Sequence, residues 1–172
     1  AFKGRTASTK AGQDGRWRTQ IETGVADDQG AVLTISAGAD RREIQDVLVG
    51  EVWFASGQSN MYYTLNRPAE YAGLIAESKH PALRMFNAPL VTAAENQEDI
   101  AGAWQAATPE TVPTFSAVAF FFARKLHLEL GVPVGVIKSA WGGKPVETFT
   151  SREALNTLPG TKALVDTLLK EE

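Results

Sequence analysis

A chain of 172 residues with 44% hydrophobic and 22% charged side chains is long enough, and ordinary enough, for one soluble domain with a small appendage. Its net charge of −3, with no basic block, argues against nucleic-acid binding, and the lack of cysteine excludes disulfides, thiolate metal sites and cysteine nucleophiles. No apolar run approaches the roughly 20 residues that span a bilayer, and the opening "AFKGRTASTK" lacks the apolar centre of a signal peptide.

Residues 1 to 45 read as β structure. Asp14-Gly15 is a turn signal, and "RWRTQIE" after it alternates, with Trp17, Thr19 and Ile21 on one face. "AVLTISAG" is a second candidate strand, punctuated by Gly30 and Gly38. So few strands do not close a sandwich, and they are expected to be the tail of a β domain. From residue 46 to 172 the pattern changes to alternating strand and helix. "DVLVGEVWFA" is nearly continuous in apolar and β-branched residues, as in a strand covered on both faces. "RPAEYAGLIAESK" suits a helix with Pro68 in its first turn and Tyr71, Leu74, Ile75 and Ser78 on one face.

Further along, "ALRMFNAPL" reads as a strand, and residues 91–113 as a long polar loop anchored by Trp104. "TFSAVAFFFARKLHLELG" is the clearest helix, with Phe115, Val118, Ala119, Phe122, Leu126 and Leu130 as its apolar stripe and Gly131 and Pro133 as its stop. "PVGVIKSAW" is then a strand, expected at the edge from which the sheet would continue. Residues 151–170 look helical, broken at Pro159-Gly160. Strand–helix alternation of this kind implies an α/β fold with a parallel sheet flanked by helices, and binding sites beyond the carboxyl ends of its strands.

Two small polar clusters fall there: "SGQSN" after the first long strand and "WGGKPVE" after the last. A serine on a strand-to-helix loop, with N–H groups nearby, has the parts that acyl transfer needs: a nucleophile, and donors where oxyanion charge develops. Ordinary turns use the same residues, so spacing alone leaves both readings open.

Taken together, "GEVWFASGQSNM", "TFSAVAFFFARKLHLELGVPVGVIKSAWGGKPVE" and "TSREAL" resemble the sialate O-acetylesterase family, a branch of the SGNH (GDSL-like) hydrolases. The resemblance implies an SGNH-type sheet, incomplete in this chain, preceded by a short β segment. It implies a serine esterase acting on O-acetylated sialic acid or another acetylated glycan, without metal or organic cofactor. Ser59 matches the nucleophile, and its N–H and that of Gly142 or Gly143 match oxyanion donors. Gln58, Asn60, Trp141, Lys144 and Glu147 become candidates for the substrate pocket. Lys144 stands where the family usually has threonine, and Phe149 where tryptophan is common. An extracytoplasmic location (secreted, periplasmic or lysosomal) goes with the resemblance. A general carboxylesterase and a non-catalytic glycan-binding or structural relative are the alternatives.

A base is the missing part. His127 falls on the helix beside Arg124, and His80 precedes Pro81 at the expected amino end of a strand, away from the crevice. The family's Asp-x-x-His motif does not occur, and no histidine follows residue 127. The catalytic His and Asp are therefore expected outside this chain, on a second polypeptide of a split hydrolase. A truncated product and a non-catalytic relative would also lack them.

Overall fold

The computed structural model describes residues 1–93 and 97–161, together with 163 and 165. An antiparallel hairpin comes first: β1 (Asp27–Ala37) and β2 (Asp40–Val49) pair from Ala37↔Asp40 to Asp27↔Val49, with irregular register before Leu33. Gly38 turns the hairpin at φ 61, a left-handed value that suits glycine. The alternating "RWRTQIE" segment, expected as a strand, is not one. A half-buried strand needs a ladder partner, and among the described residues β1 pairs only with β2.

The apolar run 46–55, read as one strand, is divided at Gly50. Residues up to Val49 close the hairpin, and β3 (Glu51–Gly57) opens a second sheet. After β3 come the short helices α1 (Ser59–Tyr62) and α2 (Ala72–Ala76), the latter preceded by a 3₁₀ turn at Ala69–Tyr71. Pro68 caps that turn from just outside it, and Leu74 and Ile75 pack on the core as their spacing predicts. Next are β4 (His80–Asn87) and β5 (Trp104–Ala107). The latter is a strand within the expected loop, its Trp104 exposed and tilted against Phe86 at 5.7 Å.

The long helix α3 (Ala117–Leu130) comes after β5, capped by the Ser116 hydroxyl, which accepts from the Ala119 N–H at 3.1 Å, and stopped at Gly131 (φ 64). Its buried face is Ala117, Ala119, Phe120 and Ala123, so the expected stripe is right only in part: Phe115 and Ala119 are buried and Leu126 packs on the core. Val118, Phe122 and Leu130 of that stripe are exposed. Alanines let the helix lie close on the sheet, whereas the outward rings pack laterally, Phe122 edge-on to Trp53 at 5.1 Å and Phe121 to Tyr71 at 5.2 Å. Then β6 (Val134–Ala140) leads to a 3₁₀ turn at Val146–Phe149 and α4 (Arg152–Thr157). The part of the expected last helix at 162, 164 and 166–172 lies outside the described residues.

The second sheet has the order β3-β6-β4-β5, with β3, β6 and β4 parallel and β5 antiparallel on the far edge. The fold is thus α/β with a parallel centre. Two expectations change. β6 is central, flanked by β3 and β4, and β3 is the edge. Nor is β3 covered on both faces, since Val52, Trp53 and Phe54 are all exposed among the described residues. The core lies between α3 and the inner face of the sheet, where Leu83, Met85, Val134, Val136, Phe115 and Phe120 are almost entirely buried.

Candidate active site

The carboxyl ends of β3 and β6 lie side by side, with Gly57 opposite Ala140. The loops that leave these two strands are therefore brought together. Gly57 has φ 138, a backbone state that a side chain rarely tolerates, and this turns the chain sharply out of the sheet into α1. The Gly57 carbonyl accepts from the Trp141 N–H at 3.0 Å, and the Gln58 side-chain amide donates to the Lys144 carbonyl. Sequence-distant loops are laced by these two bonds.

Ser59 is the first residue of α1 and is exposed, as are Gln58 and Asn60. Gly142 faces it directly: a Cβ built on Gly142 would stand 3.5 Å from Ser59 Oγ and 3.8 Å from its Cα. Gly143 adopts φ 76 in open surroundings. Among the described residues the Trp141 N–H is spent on Gly57, whereas the N–H groups of Ser59, Gly142 and Gly143 find no acceptor. Of the remaining candidates, Trp141 carries the Lys144 ammonium 4.8 Å from its ring centroid, and Glu147 lies on the 3₁₀ turn beside β3. A second cation, Arg67, stacks on Tyr63 at 5.3 Å. Neither cation has a carboxylate partner among the described residues.

The other wall is the start of α3. Ala117 donates its N–H to the Tyr63 carbonyl at 2.8 Å, and the buried Ser116 hydroxyl donates to Met61 Sδ at 3.4 Å. Sequence reading overlooked Ser116, Tyr62 and Lys138. A signal for Lys138 was present in strand parity: 134, 136, 138 and 140 share one face, and only 138 is charged.

Both histidines lie at the other end of the sheet. His80 begins β4, and seven residue steps of about 3.3 Å put it about 23 Å from the Asn87 end. Its ring meets His127 edge-on at 5.9 Å, and the His127 Nδ1–H donates to the Val132 carbonyl at 2.7 Å. Burial, then Arg124 and His127 close by, holds His80 below its ordinary pKa of 6.5. Its folded form therefore resists a proton that the unfolded chain accepts. Stability should fall as pH drops from 6.5 through the lowered value, and be insensitive to His80 above 6.5. Urea midpoints at about pH 7.5 and about pH 5.5 check this, and His80→Gln should flatten the difference. No group of three or more His, Cys, Asp or Glu able to hold a metal exists among the described residues, and no described helix is long and apolar enough to cross a membrane.

No protein-family model matches the chain. Sialate O-acetylesterase of Rattus norvegicus is 35% identical over 133 residues, 69% of this chain and 24% of that protein. The proteins of the same name in Mus musculus and Homo sapiens are 30% and 33% identical over 130 and 124 residues. Those matches cover 69% and 65% of this chain, and 24% and 23% of the relatives. A crystal structure of a carbohydrate acetylesterase from Xanthomonas citri matches with a TM-score of 0.85 at 33% identity, covering 91% of this chain and 36% of that one. The chain thus spans about a quarter of the length of the curated relatives it matches, and about a third of the solved one.

Proposed function

We propose, from the premise that the chain is a homologue of the sialate O-acetylesterases, that it carries the nucleophile of a serine esterase removing O-acetyl groups from sialic acid or another acetylated glycan. The observation that carries this reading is the exposed Ser59 hydroxyl set against side-chain-free Gly142 at the carboxyl end of a parallel sheet. Ser59 Oγ attacks the acetyl carbonyl, and the oxyanion that forms is held by the Ser59 N–H and that of Gly142 or Gly143. The sugar hydroxyl leaves, and water cleaves the acetyl–serine ester to release acetate. Gln58 and Asn60 shape the loop, and Trp141, Lys144 and Glu147 line the approach.

The proton must go to a base that the described residues do not place near Ser59. We assign that base and its orienting carboxylate to a second polypeptide or to a further part of the protein, because His80 and His127 stand at the opposite end of the sheet. His80→Ala and His127→Ala should accordingly leave turnover within about tenfold, whereas loss of a true base costs several orders of magnitude. Residues 1–45 fit the tail of a β domain and 46–172 part of the hydrolase domain. The change from one sheet to the other falls at Gly50, a few residues beyond that boundary, and supports a division there. An extracytoplasmic setting belongs to the same proposal.

Lys144, on the loop bonded to Gln58 and without a carboxylate partner among the described residues, favours an acidic sugar over a neutral one. Lys144→Thr should raise KM severalfold for an acetylated sialic acid and leave a neutral acetylated sugar unchanged, as measured by acetate release. Incubating the complete protein with each sugar, and searching for an acetylated peptide that contains Ser59, tests the chemistry itself. The lack of a neighbouring base also supports a second reading, a glycan-binding relative. Saturable sugar binding with no acetate released would favour it.

A further inference from the structure

Lys138 is buried in the sheet core, 6% exposed, on the face of β6 that also carries Val134, Val136 and Ala140. No hydrogen bond or ion pair to its ammonium occurs among the described residues. Burial correspondingly lowers its pKa. Beside it on β4, in direct register, stands Asn87, whose Oδ1 is buried and receives no donor. Leu83 and Met85 pair with Val134 and Val136, so strand parity puts Asn87 and Lys138 on that same inner face. A donor without an acceptor and an acceptor without a donor thus sit on adjacent strands about 4.8 Å apart. One bridging water, or rotation of the terminal lysine torsions, satisfies both.

Enclosing a lysine in the core is costly for its charge, and no ion pair among the described residues offsets that cost. For filling the core, methionine would serve better. What the charge does touch is Tyr62: the ammonium lies 5.0 Å from that ring's centroid. Tyr62 is the last residue of α1, one turn beyond Ser59, and its Cδ1 stands 4.0 Å from where a Gly142 Cβ would be. The Tyr62 ring therefore lies beside the ammonium and beside the side-chain space of the glycine that faces Ser59. Attraction of a cation to an aromatic face strengthens as water is excluded.

We propose that Lys138 is a positioning residue, its ammonium held against the Tyr62 ring and thereby holding α1 with Ser59 Oγ level with Gly142, while Asn87 anchors the ammonium from the neighbouring strand. The kinetic part rests on the esterase reading above; the structural part does not. A lysine that merely lays its stem along the core and lets its head escape to water would have no such effect.

Wild type, Lys138→Met and Lys138→Arg, each in the complete protein, separate the two roles. Amide hydrogen exchange is followed in the peptide spanning residues 56–66, together with the unfolding midpoint and acetyl-ester kinetics. Lys138→Met should keep or raise the midpoint while the Ser59–Tyr62 amides exchange about tenfold faster. Turnover should fall about tenfold in kcat with KM within about twofold, the signature of a misplaced nucleophile. Lys138→Arg, which keeps the cation, should restore both. Unchanged exchange in Lys138→Met, or an arginine variant as disturbed as the methionine one, overturns the proposal. Should Lys138→Met fail to fold, Tyr62→Leu is read the same way, and wild-type exchange in that variant sinks the idea. A wild type without esterase turnover counts against the esterase reading alone, because the exchange comparison still decides the role of Lys138.

Discussion

Replacing Ser59 by alanine is expected to lower acetyl-ester turnover in the complete protein by roughly 10⁴- to 10⁶-fold, with little change in stability. The size follows from the role proposed for Ser59: without the atom that would form the covalent intermediate, only binding and oxyanion stabilisation are left to act on water's attack. The fold should be indifferent. Ser59 is exposed, and its hydroxyl makes no hydrogen bond among the described residues, so its loss leaves no buried group unpaired. An unfolding midpoint equivalent to within about 0.5 kcal/mol would confirm that the loss is chemical. Acetate release within about tenfold of wild type would remove Ser59 from the mechanism.

A second large effect is expected on stability, from Gly50→Ala. A Cβ at Gly50 would stand 2.1 Å from the Pro133 carbonyl oxygen and 2.7 Å from its carbon, both backbone atoms that cannot swing aside. That same oxygen accepts the Glu51 N–H at 3.0 Å, the first bond joining the β3 segment to the one before β6. A methyl group there pushes the two strands apart where their pairing begins. We expect a cost of about 3 kcal/mol, at the upper end for overpacking because nothing soft lines the contact. Gly143→Ala offers the contrast. Its surroundings are open, so only its left-handed φ of 76 opposes a side chain, at about 1–2 kcal/mol. Urea unfolding of both variants tests the ranking, and a Gly50→Ala chain as stable as wild type would refute the collision.

Gly50 also shows where sequence reading stopped. The run from Asp46 to Ala55 is nearly continuous in apolar and β-branched residues, and periodicity gives no reason to cut it. The cut comes from a backbone approach at Pro133, 83 residues away in sequence and visible only in three dimensions. The α3 helix was legible because Ser116 and Gly131 mark its ends by local chemistry. Its buried face was not, since Phe121 and Phe122 are as apolar as Phe120 and only the neighbouring alanines reveal which side lies close to the sheet. At the candidate site, Ser59 and the paired glycines were legible from their resemblance and from their place after strands. Lys138 was passed over because a lysine in an apolar strand reads as an edge residue, and β6 was itself expected at an edge. Its central position between β3 and β4 is a property of sheet order, which no local pattern dictates.

That sheet order has a consequence for how a catalytic centre could be assembled. Among the described residues β3 pairs on one side only, so the strand leading to Ser59 presents a row of backbone donors and acceptors outward. Any strand docking on that row can be seated only at discrete heights. A slip of one residue turns its inner side chains outward, so tolerable misalignments come in pairs of residues, about 6.6 Å. A proton acceptor carried by such a strand would meet Ser59 within hydrogen-bond reach or miss it by more than the length of the bond. The free flank of β3 would act as a ruler, making assembly of the centre an all-or-none event.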